Sequence, residues 1–454
     1  MSAETIDSRP RRGSLERFSL WMGRAVPDAI TASVVFLFVV AAAALAIGTP
    51  GGVVMDAYYR GLWMLLPFTM QMTLIILLGS ALSVSPIVRR TVGSAARLPA
   101  SATGVVTAVV LFGAAVSYLH WGLGYALAPV IAVFFATEAE KKGIAVDFPF
   151  LLVAAYAGAS IWQFGLSASA PLLVATPGHF LEGTIGVIPL KNTIWSPATL
   201  FHIGAFTLCC VLLSRWIMPR VPTPISHFPE SHKLAEETAP AIPPATSASE
   251  RVERHPFMTL ALCAALAGWL IHHFVINGSS LDINSLNTTL LLATLLLHGN
   301  FKAFGGAVEK AVVSAWPVII LYHLYAGVAG IIQFTPIGEK LAALAATVTT
   351  PYTFPLLTTL AGAVIAIFVP SSGGQWAIQG FITSESALAA GVSVERGLLA
   401  LSVGDQLGNL IAPFWYVVIA SIARIDFRRF FGYGLLFALL WFVVGVFSFT
   451  FLPA

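Results

Sequence analysis

Charge is what this sequence has least of. Only 10% of its 454 residues are Asp, Glu, Lys or Arg, against 57% hydrophobic. Soluble globular chains carry about 25% charged and about 45–50% apolar residues, so a soluble domain, a disordered chain and a coiled coil are all excluded. The 24 Lys and Arg against 21 Asp and Glu leave a net charge of +3, too little for a nucleic-acid partner. Cysteine is scarce as well: Cys209, Cys210 and Cys263 all sit in apolar stretches, so no disulfide framework and no metal motif is visible. The arginine-rich start shows no cleavage pattern before the first apolar run near Asp28, and a removed signal peptide is not expected. What remains is an all-α polytopic membrane protein in a lipid bilayer.

A spanning helix needs roughly 20 apolar residues, because lipid offers backbone amides and carbonyls no other partner. Runs that meet or approach this are 28–48, 61–83, 101–119, 148–175, 197–217, 256–275, 285–300, 311–333, 353–369, 397–420 and 430–452, with shorter, interrupted stretches at 120–136 and 374–389. A polar segment without periodicity, 218–255, reads as a solvated linker.

The few basic residues are unevenly placed. One side of the membrane takes Arg9, Arg11, Arg12, Arg17, Arg24, Arg89, Arg90, Arg97, Lys141, Lys142, Arg215, Arg220, Lys233, Arg251, Arg254, Lys302, Lys310, Arg424, Arg428 and Arg429. The other keeps Arg60, Lys191, Lys340 and Arg396. This asymmetry predicts a cytoplasmic N-terminus (1–27), a cytoplasmic linker and an outside C-terminus. The alternation holds only if 101–136 enters and leaves from inside and 351–389 from outside, each as a re-entrant hairpin or a pair of spans.

The two halves then echo each other. His120-Trp121-Gly122-Leu123-Gly124 breaks the first hairpin, and Ser371-Ser372-Gly373-Gly374-Gln375-Trp376 breaks the second. Each is followed by an interrupted span: 148–175, broken around Gln163-Phe164-Gly165, and 397–420, broken around Gly404-Asp405-Gln406-Leu407-Gly408-Asn409. The expected organisation is therefore a first repeat at 28–217, a linker at 218–255, a connecting helix at 256–275 and an inverted second repeat at 276–454. Paired interruptions in inverted halves are the best sequence pointer to a secondary transporter's binding site. A helix broken at mid-membrane frees backbone groups that must line a cavity or be buried in protein, and half-helix N-termini suit a carboxylate. Isolated packing kinks would account for one such break, not for four in matching places.

Asp405 is the only carboxylate well inside an expected span, and a charge there costs several kcal/mol or more unless it has a use. It either binds a coupling cation or carries a proton; a protonated structural carboxyl is the plain alternative. Gln406 and Asn409 follow at helical spacing and bring amides to the same place. No Lys or Arg is left in the membrane interior, so an anionic substrate must rely on backbone N–H groups with Ser167, Ser169, Ser371, Ser372 and Gln375. That suits a small monocarboxylate, although half-helix dipoles also hold dicarboxylates. The expected substrate set is His120, Trp121, Gly122, Gly124, Gln163, Ser167, Ser169, Ser371, Ser372, Gly373, Gly374, Gln375 and Trp376. His120 either titrates with the substrate or is a satisfied structural histidine, and His323 reads as structural. Trp121, Trp162, Trp376, Phe414 and Trp415 border the breaks and either wall an apolar pocket or pack the core. Thr176-Pro177-Gly178-His179 reads as a turn at the external end of the broken span. An intramembrane hydrolase is disfavoured, because an aspartyl protease needs a second membrane aspartate. No cofactor or metal is expected beyond a coupling H⁺ or Na⁺.

At these motifs the sequence resembles the short-chain fatty acid transporter family of bacterial inner membranes, the acetoacetate/butyrate-type permeases. The likeness runs from Gly23-Arg24-Ala25-Val26-Pro27-Asp28 through Gly61-Leu62-Trp63-Met64-Leu65-Leu66-Pro67-Phe68, Trp121-Gly122-Leu123-Gly124 and Pro171-Leu172-Leu173-Val174-Ala175-Thr176-Pro177-Gly178. Its most specific parts are Val369-Pro370-Ser371-Ser372-Gly373-Gly374-Gln375-Trp376-Ala377-Ile378-Gln379-Gly380, Gly404-Asp405-Gln406 and Ala412-Pro413-Phe414-Trp415. Ser372, Gln375 and Asp405 stand where that family often has Gly, His and Glu. The family is similar to a larger ion-transporter superfamily, which implies a scaffold with a moving transport domain, elevator-type motion and a homodimer.

Overall fold

The computed structural model of the chain describes residues 29–236 and 247–453. The expected cytoplasmic N-terminus 1–27 with its five arginines lies outside the described residues, as do part of the polar linker and Ala454. Among the described residues every regular element is helical. Nine helices among the described residues are long and apolar enough to cross a membrane, ten when one sharply bent pair is counted as a span.

The first apolar run forms α1 (Ala29–Ala46), and the second forms α2 (Gly51–Met64) and α3 (Leu66–Ser83). They part at Leu65, where Pro67 has no N–H to continue the ladder. The first hairpin is α4 (Ala102–Leu119) and α5 (Trp121–Lys141), with His120 alone between them. At about 1.5 Å per residue each arm reaches roughly the hydrocarbon thickness. The broken span begins as α6 (Phe148–Ala159), tightens into a 3₁₀ turn at Ser160–Phe164, loses regular structure over 165–168 and resumes as α7 (Ser169–Ala175). Its interruption therefore falls where the sequence put it. This segment is 94% buried over its apolar window, against 22% for α1, so its irregular backbone is shielded from lipid as it must be.

After α8 (Pro197–Ile217) and α9 (Pro256–Ile271) come α10 (Ile283–His298) and α11 (Phe301–Phe334). The α11 helix starts ten residues before the expected span, carried through Gly305 and Gly306 from an Asn300 cap whose side chain accepts from the Ala303 amide at 2.9 Å. The second hairpin is α12 (Phe354–Ala366) and α13 (Ser372–Ala389). At 13 residues, about 20 Å, α12 is too short to cross alone. The chain ends in α14 (Val394–Ile411), α15 (Phe414–Ala423) and α16 (Arg428–Phe451).

One expectation is corrected. The 397–420 segment does not break at Gly404–Asn409: α14 runs unbroken through these residues, and the chain turns by 56° between α14 and α15, at Ala412 and Pro413. Proline excludes the helical conformation from the residue before it, and Ala412 is extended at φ −79°, ψ 148°. The glycines of α14 serve contact instead. A Cβ on Gly404 would strike the Thr359 carbonyl, and one on Gly408 would lie 2.6 Å from the Ala363 carbonyl, so α14 and α12 meet backbone to backbone. The first half does the same. A Cβ on Gly113 would lie 2.7 Å from the Ala155 carbonyl, which brings α4 against α6.

Candidate functional site

The residues of the first interruption, 160–169, reach Asp405, Gln406 and both hairpin tips. Ser160 Oγ accepts from Gln406 Nε2 at 2.9 Å, and Trp162 Nε1 donates to Gln406 Oε1 at 2.8 Å. Gln163 Nε2 donates to Asp405 Oδ2. Ser167 Oγ accepts from the Trp121 amide at 2.8 Å, at the start of the first hairpin's second arm. Ser169 lies beside the second hairpin, its Cβ 3.2 Å from where a Gly373 Cβ would stand. A continuous helix could not do this, since side chains one to six residues apart would fan around its axis. The 3₁₀ turn and the extended residues beyond it let one short segment face both hairpin tips and the acid.

Asp405 is 1% exposed. Its Oδ2 accepts from Gln163 and, at 3.1 Å, from Asn409 Nδ2 one turn along α14. Its Oδ1 is buried with no hydrogen-bond partner among the described residues, and so are Gln163 Oε1 and Asn409 Oδ1. Three buried oxygens without donors, on three side chains that already meet, form a group in want of positive charge or a proton. Tyr156 donates to the Asn409 carbonyl at 3.0 Å and fixes that turn of α14. Among the described residues no three His, Cys, Asp or Glu side chains come together as a metal centre would need.

Each hairpin tip is an N-cap. His120 Nδ1 accepts from the Leu123 amide at 2.9 Å, and Ser371 Oγ accepts from the Gly374 amide at 3.4 Å. His120 thus holds the start of α5 through a ring nitrogen that must be unprotonated to accept. Both tips are braced. Gly124 backs onto Ser117, whose Oγ donates to the Ala159 carbonyl at 2.5 Å. Tyr322 OH lies 2.9 Å from Ser371 Oγ, and a Cβ on Gly374 would come 2.7 Å from the Tyr325 ring.

Not every expected residue joins this group. Gln375 turns back into its own hairpin, donating to the Gly362 carbonyl at 2.7 Å and to Gln379 Oε1 at 2.6 Å. Trp376 is fully buried against Gly380, Gly122 faces only its neighbour His120, and the buried Ser372 Oγ meets no partner among the described residues. His323 bonds its own Ile319 carbonyl and stands edge-on to Trp63, away from the site. His179 closes a turn, Nε2 lying 2.9 Å from the Gly186 carbonyl. Of the aromatic set, Trp121 and Trp162 lie 5.8 Å apart, and Trp415 stacks on Tyr125 at 4.1 Å. Residues the sequence reading passed over are Phe68, Tyr125, Tyr156, Ser160, Tyr322 and Tyr325. A phenol every third residue in an otherwise apolar span, as at Tyr322 and Tyr325, was the available signal for one of these pairs.

Comparison with known proteins gives the family and a fold neighbour. A family model described as short chain fatty acid transporter matches residues 14–452. A protein of Escherichia coli (strain K12) named "putative short-chain fatty acid transporter" is 32% identical over 392 residues, which is 85% of this chain and 88% of that protein. One of the same name from Haemophilus influenzae (strain ATCC 51907 / DSM 11121 / KW20 / Rd) is 29% identical over 449 residues, 94% of this chain and 97% of its own length. The crystal structure of the Alcanivorax borkumensis YdaH transporter, reported with an unusual topology, is similar in fold with a TM-score of 0.56 at 18% identity, covering 93% of this chain and 98% of that one.

Proposed function

The chain belongs to the short-chain fatty acid transporter family and is a multi-pass membrane protein; from that premise we propose a secondary active carrier that moves short-chain fatty acids or similar small monocarboxylates across the bacterial inner membrane by alternating access, coupled to H⁺ or Na⁺. The observation that carries this reading is the meeting of segment 160–169 with both hairpin tips and Asp405. A substrate held between the tips lies next to the acid that takes the coupling ion, which is the adjacency that coupling requires. The carboxylate falls to the tip N-termini with Ser167, Ser169, Ser371 and Ser372, and the coupling ion to Asp405, Gln163 and Asn409 with Gln406 in support. Hairpin residues Gln375 and Trp376 act one step back, by holding the second tip.

The inverted-repeat organisation, with halves 28–217 and 276–454, belongs to the same proposal. Its support is the matched packing of each first arm: Gly113 against α6 and Gly362 against α14, with Ser117 bonding the Ala159 carbonyl and Thr359 the Ala400 carbonyl at 3.1 Å. A cytoplasmic N-terminus, periplasmic C-terminus and homodimeric elevator complete the picture.

Purified protein in liposomes should accumulate labelled butyrate or acetoacetate when an H⁺ or Na⁺ gradient is imposed. Flux of undiminished rate without any gradient would refute the coupled carrier. Saturation at low millimolar substrate separates a carrier from a channel.

A further inference from the structure

A small recess of about 80 Å³ opens between the α2–α3 junction and the end of the broken span, at the end that the charge asymmetry assigns to the outside. Gln71 and Thr176 give it polar groups, Pro177 and Gly178 stand at its exposed edge, and Phe68 closes it. Phe68 is only 4% exposed. Its far side is the proposed substrate site. The Cζ atom would lie 2.6 Å from a Cβ on Gly373, the tip residue that also borders Ser169. The Phe68 ring stacks on Tyr322 with centroids 5.5 Å apart, and Tyr322 is the residue whose hydroxyl meets Ser371.

One aromatic ring thus stands between this recess and the second hairpin tip. We infer that short acids enter from the external face through this recess, and that Phe68 is the gate whose ring must turn aside to admit them and so limits the length of acyl chain the carrier accepts. The chemistry favours this role. An aliphatic tail meets a ring face without losing hydrogen bonds, while a carboxylate passing Gln71 stays near its side-chain amide on the way to the tip. The missing side chain at Gly373 is what lets the far edge of the ring reach the tip. Phe68 packs on Tyr322, so displacing it also loosens the brace on Ser371. Opening the gate and releasing the tip then become one movement.

This inference rests on the carrier reading, and the test separates the two. Uptake of acetate, butyrate, hexanoate and octanoate is compared in liposomes, each rate corrected for protein-free vesicles. A single methylene in an apolar pocket changes discrimination by about tenfold or more. Phe68→Ala should therefore raise the octanoate-to-butyrate ratio roughly tenfold, and Phe68→Trp should lower the butyrate-to-acetate ratio by a similar factor. If Phe68→Ala fails to assemble, Phe68→Trp decides alone. In right-side-out vesicles, Pro177→Cys treated with a bulky impermeant maleimide should lose uptake while wild type treated alike does not. Unchanged chain-length profiles, or full uptake by the labelled Pro177→Cys protein, would overturn the gate while leaving the carrier intact. Wild-type vesicles that move no short acid would overturn both.

Discussion

Gln163 and Asp405 are hydrogen bonded across a sequence separation of 242 residues. One belongs to an irregular turn of the first half, the other to an unbroken helix of the second. The bond leaves Asp405 Oδ1 and Gln163 Oε1 buried without partners among the described residues, which gives the first prediction its form. Asp405→Asn keeps the shape and removes the charge. Gradient-driven accumulation should fall at least about tenfold, the effect of 1.4 kcal/mol, while exchange of internal for external substrate persists. Full accumulation by the variant would remove Asp405 from the coupling role.

His120 separates a capping from a protonic role. His120→Ala should lower stability by about 0.5–2 kcal/mol, the usual worth of an N-cap, and His120→Asn should recover most of it. If the histidine only caps, the Asn variant also keeps the wild-type pH profile of transport. A flattened profile in a stable Asn variant would show that the ring carries a proton. Thermal unfolding in detergent and liposome uptake across pH 5 to 8 provide the two readings.

Glycines of one chain should respond in opposite directions to the same substitution. Gly404→Ala drives a methyl into the Thr359 carbonyl, and overpacking of this kind costs about 1–3 kcal/mol. Gly305→Ala, on α11 with nothing within 4 Å of the new methyl, should leave stability unchanged or raise it by up to about 1 kcal/mol. Equal effects on thermal unfolding would contradict the backbone contact between α12 and α14.

Tyr322→Phe removes the hydroxyl that meets Ser371 and leaves the ring stack on Phe68 in place. The expected result is a several-fold higher KM for butyrate with an unaltered chain-length profile. With Ser371→Ala added, the double variant should be little worse than Ser371→Ala alone, because that change already deletes the Tyr322 contact along with the Gly374 cap. Additive losses would mean that the two groups act separately.

Much of the fold was legible because lipid imposes length: apolar runs near 20 residues became helices at nearly the expected bounds, as with Ala29–Ala46 and Pro197–Ile217. Of the two expected interruptions, one was placed correctly. Gln163-Phe164-Gly165 breaks its helix, whereas Gly404 and Gly408 do not. A glycine in a membrane helix means either a break or a close neighbour, and spacing of four residues on one face is the pattern of a neighbour. The nearby Pro413 was the true breaker. Asp405 stood out by its isolation, yet its pairing with Gln163 and the approach of Ser169 to Gly373 depend on how distant helices pack, which no local pattern encodes. Phe68 was invisible for a simpler reason: among 31 phenylalanines, only its position distinguishes it.

The corrected break has one more consequence. Because the turn comes at Pro413, Asp405 rides on a stiff rod fastened to α12, while its partner Gln163 hangs from a short run with little helical bonding of its own. The acid is therefore anchored by a helix, and the amide by side-chain bonds on either side of it. On the proposed coupling role, a change at Gln163 alters the acid's partner without touching the packing of α14 on α12, so relatives of this chain should differ at Gln163 sooner than at Asp405.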